Sequence, residues 1–233
     1  MEIGSVFRAM ASPITVISAL IFLFDNVAAQ SLGFFTPTII RTLFPGKTVV
    51  QQQLLSVPPY LVGAFFTVFW AWLSTRLRVR GPIIVVASIF MITGYGIYVN
   101  TSNPLGAKYA GSFLAMLGTF TLGSLCNAWA AANVNTDSAK NGALGLTVFF
   151  GNIGGIISTW AYLPSDGPSY KTANSVVMSF SIAIFALSWI NMAYIRYANK
   201  KRDEGRHNVD LATLSPKQIA LLGDRHPAFR YKL

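Results

Sequence analysis

The chain has 233 residues, of which 53% are apolar and only 11% are charged, and its mean hydropathy is +0.49. Soluble domains usually carry about 25% charged residues, so this composition argues against an ordinary cytosolic enzyme. The formal net charge of +10 would suggest a nucleic-acid partner for a soluble protein. Here the charges are clustered between long apolar runs, so we expect a membrane protein with no nucleic-acid partner.

Six long runs of the sequence are almost free of charge. Residues 49–75, 81–107, 109–136, 141–165 and 172–195 contain no Asp, Glu, Lys or Arg, and residues 9–40 contain only Asp25. Because roughly 20 apolar residues cross a bilayer core as a helix, these runs predict six spanning helices. Twelve spans would need about 240 residues before any loop is counted. The expected fold is therefore an all-α, six-transmembrane-helix bundle.

In chain order, we place the spans at about residues 13–39, 52–73, 82–98, 108–132, 142–162 and 174–197. This division leaves a cytosolic stub at residues 1–12, the transmembrane bundle at 13–197 and a cytosolic basic tail at 198–233. The start of span one has an alternative interpretation as a cleavable signal peptide. Its apolar pattern continues to Ile40, which favours a retained span.

Prolines and caps add local expectations along this order. Pro58 and Pro59 should bend or locally open span two, because neither supplies a backbone N–H. Pro82 is tolerated in the first turn of span three. In the tail, Ser215 followed by a proline, with Gly223 further on, predicts one short helix.

The basic residues are distributed unequally between the two sides of the predicted bundle. Six crossings put fourteen Lys and Arg residues on the side of both termini and four on the other side. The positive-inside rule then predicts that both termini and the loop with Arg76, Arg78 and Arg80 are cytoplasmic. These arginines could be no more than an orientation signal.

The predicted spans contain no set of residues suited to catalysis or metal binding. Cys126 is the single cysteine and lies in an apolar run, while His207 and His226 are both in the polar tail. No paired carboxylates and no HExxH motif occur in the spans. We therefore expect neither an intramembrane protease nor any other enzyme, and no metal site.

The polar residues at membrane depth are concentrated on three spans. Span one carries Asp25, Asn26 and Gln30, span four carries Asn127, and span five carries Asn152 within a glycine-rich segment. Buried polar groups face the bundle interior or a wet cavity. The first span of each triplet should then face a cavity and the last should face lipid, as in two inverted three-helix repeats.

Each of these residues also has a structural interpretation. Placing Asp25 at the bilayer centre costs about 2.5–3.5 kcal/mol, which favours a proton, ion or substrate contact over a structural hydrogen bond across the bundle or a position near the membrane surface. The asparagines could equally form interhelical hydrogen bonds, and Tyr60 and Trp129 could be membrane-interface anchors. The glycines around Asn152 favour close packing over a binding loop.

An ordered series of motifs resembles a known family. Residues 71–81 (AWLSTRLRVRG) look like the loop between helices eight and nine of major facilitator transporters. Around it, in order, lie residues 55–60, Trp129 with Asn133, Lys140, and residues 151–156, 166–170 and 222–231. The series is similar to the C-terminal half of the fungal allantoate permease-like group, anion:cation symporters that include nicotinate, pantothenate and biotin carriers.

The chain departs from the family pattern in two motifs. Thr75 stands where the family's loop has Asp, and Lys140-Asn141 stands where a Lys-Arg pair is expected. The family's N-terminal half, which supplies the other wall of the cavity, has no counterpart in this sequence. Three explanations fit this difference. The sequence could be a truncated gene model, a degenerate copy, or a half that pairs with another chain.

The resemblance implies a half-carrier in the plasma membrane for small organic anions, coupled to protons and without a bound cofactor. Its partners would be the bilayer, the anion, and an N-terminal half or a second copy. A non-transporting membrane protein that interacts with full-length carriers is the alternative. We assign the cytosolic gate to the three loop arginines and the substrate and proton site to Asp25, Asn26, Gln30, Tyr60, Asn127, Trp129 and Asn152.

Overall fold

The computed structural model describes residues 3–100, 104–162, 166, 170–205 and 227–233. Six of the α-helices in these ranges are long and apolar enough to cross a membrane, which confirms the predicted spans. The short helix predicted after Ser215 lies outside the described residues. The helices are α1 (Ile3–Met10), α2 (Pro13–Leu43), α3 (Val49–Leu77), α4 (Gly81–Val99), α5 (Leu105–Ala132), α6 (Asp137–Ala161) and α7 (Lys171–Asp203).

Several helix ends lie beyond the predicted limits of the spans. A short helix, α1, forms within the predicted N-terminal stub and packs on α6. Thr48 and Gln51 form a reciprocal capping box that starts α3 at Val49, ahead of the predicted start of span two at residue 52. At the other end of the chain, α7 continues past residue 197, with three basic residues in its last turn, where cations favour a helix C-terminus.

The two prolines of α3 do not open the helix, which is continuous from Val49 to Leu77. Pro59 cannot donate a hydrogen bond to the carbonyl of Leu55, four residues earlier. That carbonyl accepts one instead from the Tyr109 hydroxyl of α5, at 2.8 Å. A neighbouring helix therefore satisfies the freed backbone group, which is how prolines are tolerated in spanning helices.

The helices form two triplets, α2–α4 and α5–α7. Each helix of one triplet makes the same contacts as the corresponding helix of the other triplet. Helix α2 packs on α6 as α5 packs on α3, and α4 packs on α5 as α7 packs on α2. Each triplet contains an odd number of spans, so the second starts at the opposite end of the bundle from the first. This contact pattern confirms the predicted pair of inverted three-helix repeats.

The helices of each triplet differ in burial within the bundle. The second helices, α3 and α6, are outermost, and the buried residues of α6 are all small (Ala, Thr, Gly and Ser). Helix α4, expected to face lipid, is half buried because it packs closely on both α5 and α7. Gly94 of α4 allows this approach, since a Cβ built on it would lie 2.6 Å from the backbone nitrogen of Ala115.

Candidate functional site

Asp25 lies in α2, where α2 meets α5, and its side chain is almost fully buried at 1% exposure. Its Oδ2 atom faces Gly123 of α5, at 3.2 Å from the position that a Cβ on this glycine would occupy. Its Oδ1 atom has no hydrogen-bond partner within the described part of the chain. The same residues offer no group of His, Cys, Asp and Glu that could hold a metal ion.

Helix α5 carries two more buried oxygen atoms on the side of Gly123. Thr119 and Asn127 lie one turn before and one turn after this glycine. Within the described ranges, Thr119 Oγ1 and Asn127 Oδ1 have no hydrogen-bond partner. The Asn127 amide Nδ2 donates to the Gly123 carbonyl at 3.2 Å. The sequence prediction missed Thr119 and Gly123, which the four-residue spacing from Asn127 could have indicated.

Asn26 and Gln30 belong to the opposite contact of α2, which faces α6. Asn26 Nδ2 is 3.0 Å from the position of a Cβ on Gly151, and Gln30 Cγ is 3.7 Å from that of a Cβ on Gly155. A Cβ on Gly154 would meet the backbone carbonyl of Leu23. The glycine-rich segment is therefore a close-packing surface for α2, as its favoured interpretation predicted.

Two further predicted residues lie on the outer helices. Tyr60 of α3 donates its hydroxyl proton to the Leu32 carbonyl at 3.0 Å, and its ring stacks on Phe120 at 5.8 Å between centroids. Asn152 of α6 is exposed, and its amide donates to the Val148 carbonyl of its own helix at 3.0 Å. Neither side chain joins Asp25.

Trp129 is fully buried at the end of α5 and holds residues 227–233, here termed the C-terminal segment. Its Nε1 donates to the Lys232 carbonyl at 3.0 Å. Asn133 binds the same residue twice, donating to its carbonyl at 3.1 Å and accepting from its backbone nitrogen at 2.7 Å. The structure therefore places Trp129 apart from the polar residues near the bundle centre.

The arginine loop lies at the same end of the bundle, here termed the basic end. Arg76 and Arg78 are exposed, and Arg78 ends α3 in the left-handed conformation, with φ of 55°. Arg80 is half-buried, and its backbone nitrogen donates to the Leu233 carbonyl at 2.7 Å. Burial lowers the pKa of the Arg80 guanidinium. One of the three predicted gate residues thus contacts the C-terminal segment.

The chain is similar in sequence to membrane transporters of fungi. No protein-family profile matches the chain. An uncharacterized transporter of Schizosaccharomyces pombe is 28% identical over 233 residues, which are 100% of this chain and 45% of the relative. A high-affinity nicotinic acid transporter of Saccharomyces cerevisiae is 26% identical over 230 residues, 97% of the chain and 42% of the relative. An MFS-type transporter of Penicillium expansum is 27% identical over 217 residues, 89% and 41% respectively.

The chain spans less than half the length of these curated relatives. Together with six spanning helices in two inverted triplets, these likenesses make the bundle similar to one half of a major facilitator fold. The relatives are named as transporters, which are not enzymes, and they support a partial membrane transporter of this type.

Proposed function

We propose that this bundle is one half of a proton-coupled carrier for small organic anions, which moves its substrate by alternating access. Carboxylate vitamins and allantoate-like compounds are the substrate class that the sequence motifs favour. One of the relatives is named as a nicotinic acid transporter, and nicotinic acid is a carboxylate vitamin. The bundle would correspond to the C-terminal half of an allantoate permease-like symporter in the plasma membrane.

The observation that carries the proton coupling is the burial of Asp25 against Gly123, with Oδ1 unpartnered in the described residues. A neutral carboxyl group can lie in an apolar core far more cheaply than an unpaired carboxylate. A proton that binds and leaves this group therefore changes the energy of its burial. Alternating access can use that change if each state favours one form of the carboxyl.

The anion would meet amide donors rather than a cation at membrane depth. Asn127 lies one turn after Gly123, the neighbour of Asp25, whereas Asn26 and Gln30 carry their amides on the face of α2 that contacts α6. Amide donors can hydrogen-bond a carboxylate without the cost of burying a second charge. This arrangement suits a small anion that enters together with a proton.

A second bundle would complete the site. Asn152 is an exposed amide in the middle of α6, and a lipid-facing amide at that depth is costly. Covering this face with an N-terminal half-transporter or a second copy of the chain would remove the cost. Such a partner also supplies the other wall that alternating access needs. By the positive-inside rule the basic end would be cytoplasmic.

The experiment fuses this chain to the N-terminal half of the yeast nicotinic acid transporter and measures uptake of labelled nicotinate as external pH is varied. Asp25→Asn should remove the rise of uptake at acidic pH while surface expression persists. Asp137→Asn is the matched control, because this carboxylate is exposed at the start of α6. Unchanged pH dependence in Asp25→Asn would disprove the proton site, and lost expression would favour a structural role.

A further inference from the structure

A cavity of about 200 Å³ lies at the basic end, between the last turns of α7 and the C-terminal segment. A second cavity of about 230 Å³ adjoins it and shares Tyr197 and Lys201. Ammonium, guanidinium and phenol groups are hydrogen-bond donors, so such a lining suits an oxygen-rich anion. The first cavity is lined by Tyr194, Tyr197, Ala198, Lys201, Arg202 and Tyr231.

One wall of the cavity is held in place by Arg202. Its Nη1 donates to the Phe229 carbonyl at 2.8 Å and its Nη2 to the Tyr231 hydroxyl at 3.0 Å. The guanidinium also stacks over the Tyr231 ring, 4.4 Å from its centroid. Arg202 thus fixes the C-terminal segment, and the exposed Lys201 is the cation that an incoming anion would meet first.

Two acidic side chains, Asp203 and Glu204, lie near this site, and Glu204 lines the second cavity together with Lys200 and Lys201. Asp203 follows Arg202 in α7, and its Oδ1 atom pairs with Nε of Arg230 at 2.8 Å. This ion pair joins the end of α7 to the C-terminal segment. The charge of Lys201 is therefore not offset by Asp203, and in the second cavity the two cations Lys200 and Lys201 outnumber Glu204.

The cavity continues along α7 as a single stripe of side chains, which are exposed except for the half-buried Tyr194. Ile190, Tyr194, Tyr197 and Lys201 are spaced by four, three and four residues, which puts them on one face of the helix. Ile190 is 54% exposed and Tyr197 is 65% exposed. An apolar side chain at membrane depth, tyrosines at the interface and a cation above them match the layers of a phospholipid. A free phosphate ion would use only the last of these layers.

We propose that this stripe and cavity bind an anionic glycerophospholipid, with the phosphate at Lys201 and the tyrosine hydroxyls and an acyl chain along Ile190. Basic residues at the end of a spanning helix attract anionic lipid headgroups. The site is separate from Asp25 and does not depend on the proposed transport activity. It would make the docked C-terminal segment part of a lipid-binding surface.

The test measures binding of phosphatidylserine and phosphatidylcholine to the purified chain by native mass spectrometry. Lys201→Gln should weaken phosphatidylserine binding by about five-fold, which is the effect of one Lys near a membrane surface. Lys171→Gln is the matched control, because it removes an exposed lysine from the opposite end of the same helix. This control should bind phosphatidylserine like the unchanged protein.

Four outcomes would overturn the proposal. Equal weakening by Lys171→Gln would mean that net charge alone attracts the lipid. Equal binding of phosphatidylcholine and phosphatidylserine, or no effect of Lys201→Gln, would mean that the cavity does not select an anionic headgroup. Complete displacement of the lipid by millimolar inorganic phosphate would show a phosphate-ion site instead of a lipid site.

Discussion

Replacing Gly94 by alanine should force α4 and α5 apart. A Cβ at this position would lie 2.6 Å from the Ala115 nitrogen, 2.9 Å from the Gly111 carbonyl oxygen and 3.0 Å from the Ala115 Cα. All three atoms belong to the backbone of α5, so no side chain can rotate away. Because non-bonded atoms prefer separations of about 3.5–4.0 Å, the helix axes would have to separate by roughly 1 Å.

The magnitude follows from comparison with Gly96, which lies in the same helix and has nothing within 4 Å of a built Cβ. Both substitutions gain about 0.5–1 kcal/mol of helix propensity, and this gain cancels between them. Overpacking costs about 1–3 kcal/mol only in Gly94→Ala. We therefore expect Gly94→Ala to be less stable than Gly96→Ala by that amount.

Reversible unfolding of the purified chain in mixed micelles, with increasing denaturing detergent, measures the free energy of unfolding of both variants. Size-exclusion chromatography of each variant checks that the starting state is folded. Equal unfolding free energies for Gly94→Ala and Gly96→Ala would refute the close approach of α4 and α5.

The contacts of α3 and of the C-terminal segment give two further predictions. Tyr109→Phe should lower the free energy of unfolding by about 1 kcal/mol, because the Leu55 carbonyl, to which Pro59 cannot donate, loses its only side-chain donor among the described residues. An unchanged free energy of unfolding in the same titration would show that this bond does not support α3. Asn133→Ala should loosen the segment by removing two of its three side-chain hydrogen bonds to Lys232, so limited proteolysis should cut the tail faster. A cleavage rate equal to that of the unchanged chain would contradict the docking.

The spans could be predicted from the sequence because lipid imposes a simple requirement. A charge-free run of sufficient length has few other stable solutions, and each such run became a helix. The helix ends were harder to predict from the sequence. The capping box of Thr48 and the basic last turn of α7 extend helices into polar sequence that hydropathy alone assigns to loops.

The environment of Asp25 was predictable only in part. Burial of a lone carboxyl followed from its place in an apolar run, but its neighbour is Gly123, which has no side chain to signal a site. Pairing these two residues requires the register between α2 and α5. No local pattern in the sequence encodes that register.

The Trp129 and Asn133 motif shows the same limit more clearly. The sequence analysis assigned Trp129 to the substrate and proton site, with a membrane-interface anchor as the alternative, and gave Asn133 only as part of the family resemblance. Both side chains instead bind Lys232, about one hundred residues later in the chain. A contact between such distant segments leaves no periodicity, so only the folded structure reveals it.

The central claim is that this six-helix bundle works as half of a carrier. The most direct measurement is uptake of labelled nicotinate by yeast cells that lack their own nicotinic acid transporter. The cells would express this chain alone, the N-terminal half of that transporter alone, or both together. Our account predicts saturable uptake only when both are present, because alternating access needs two bundles around a shared site. Saturable, proton-dependent uptake by this chain alone, reproduced with the purified monomer in liposomes, would contradict it.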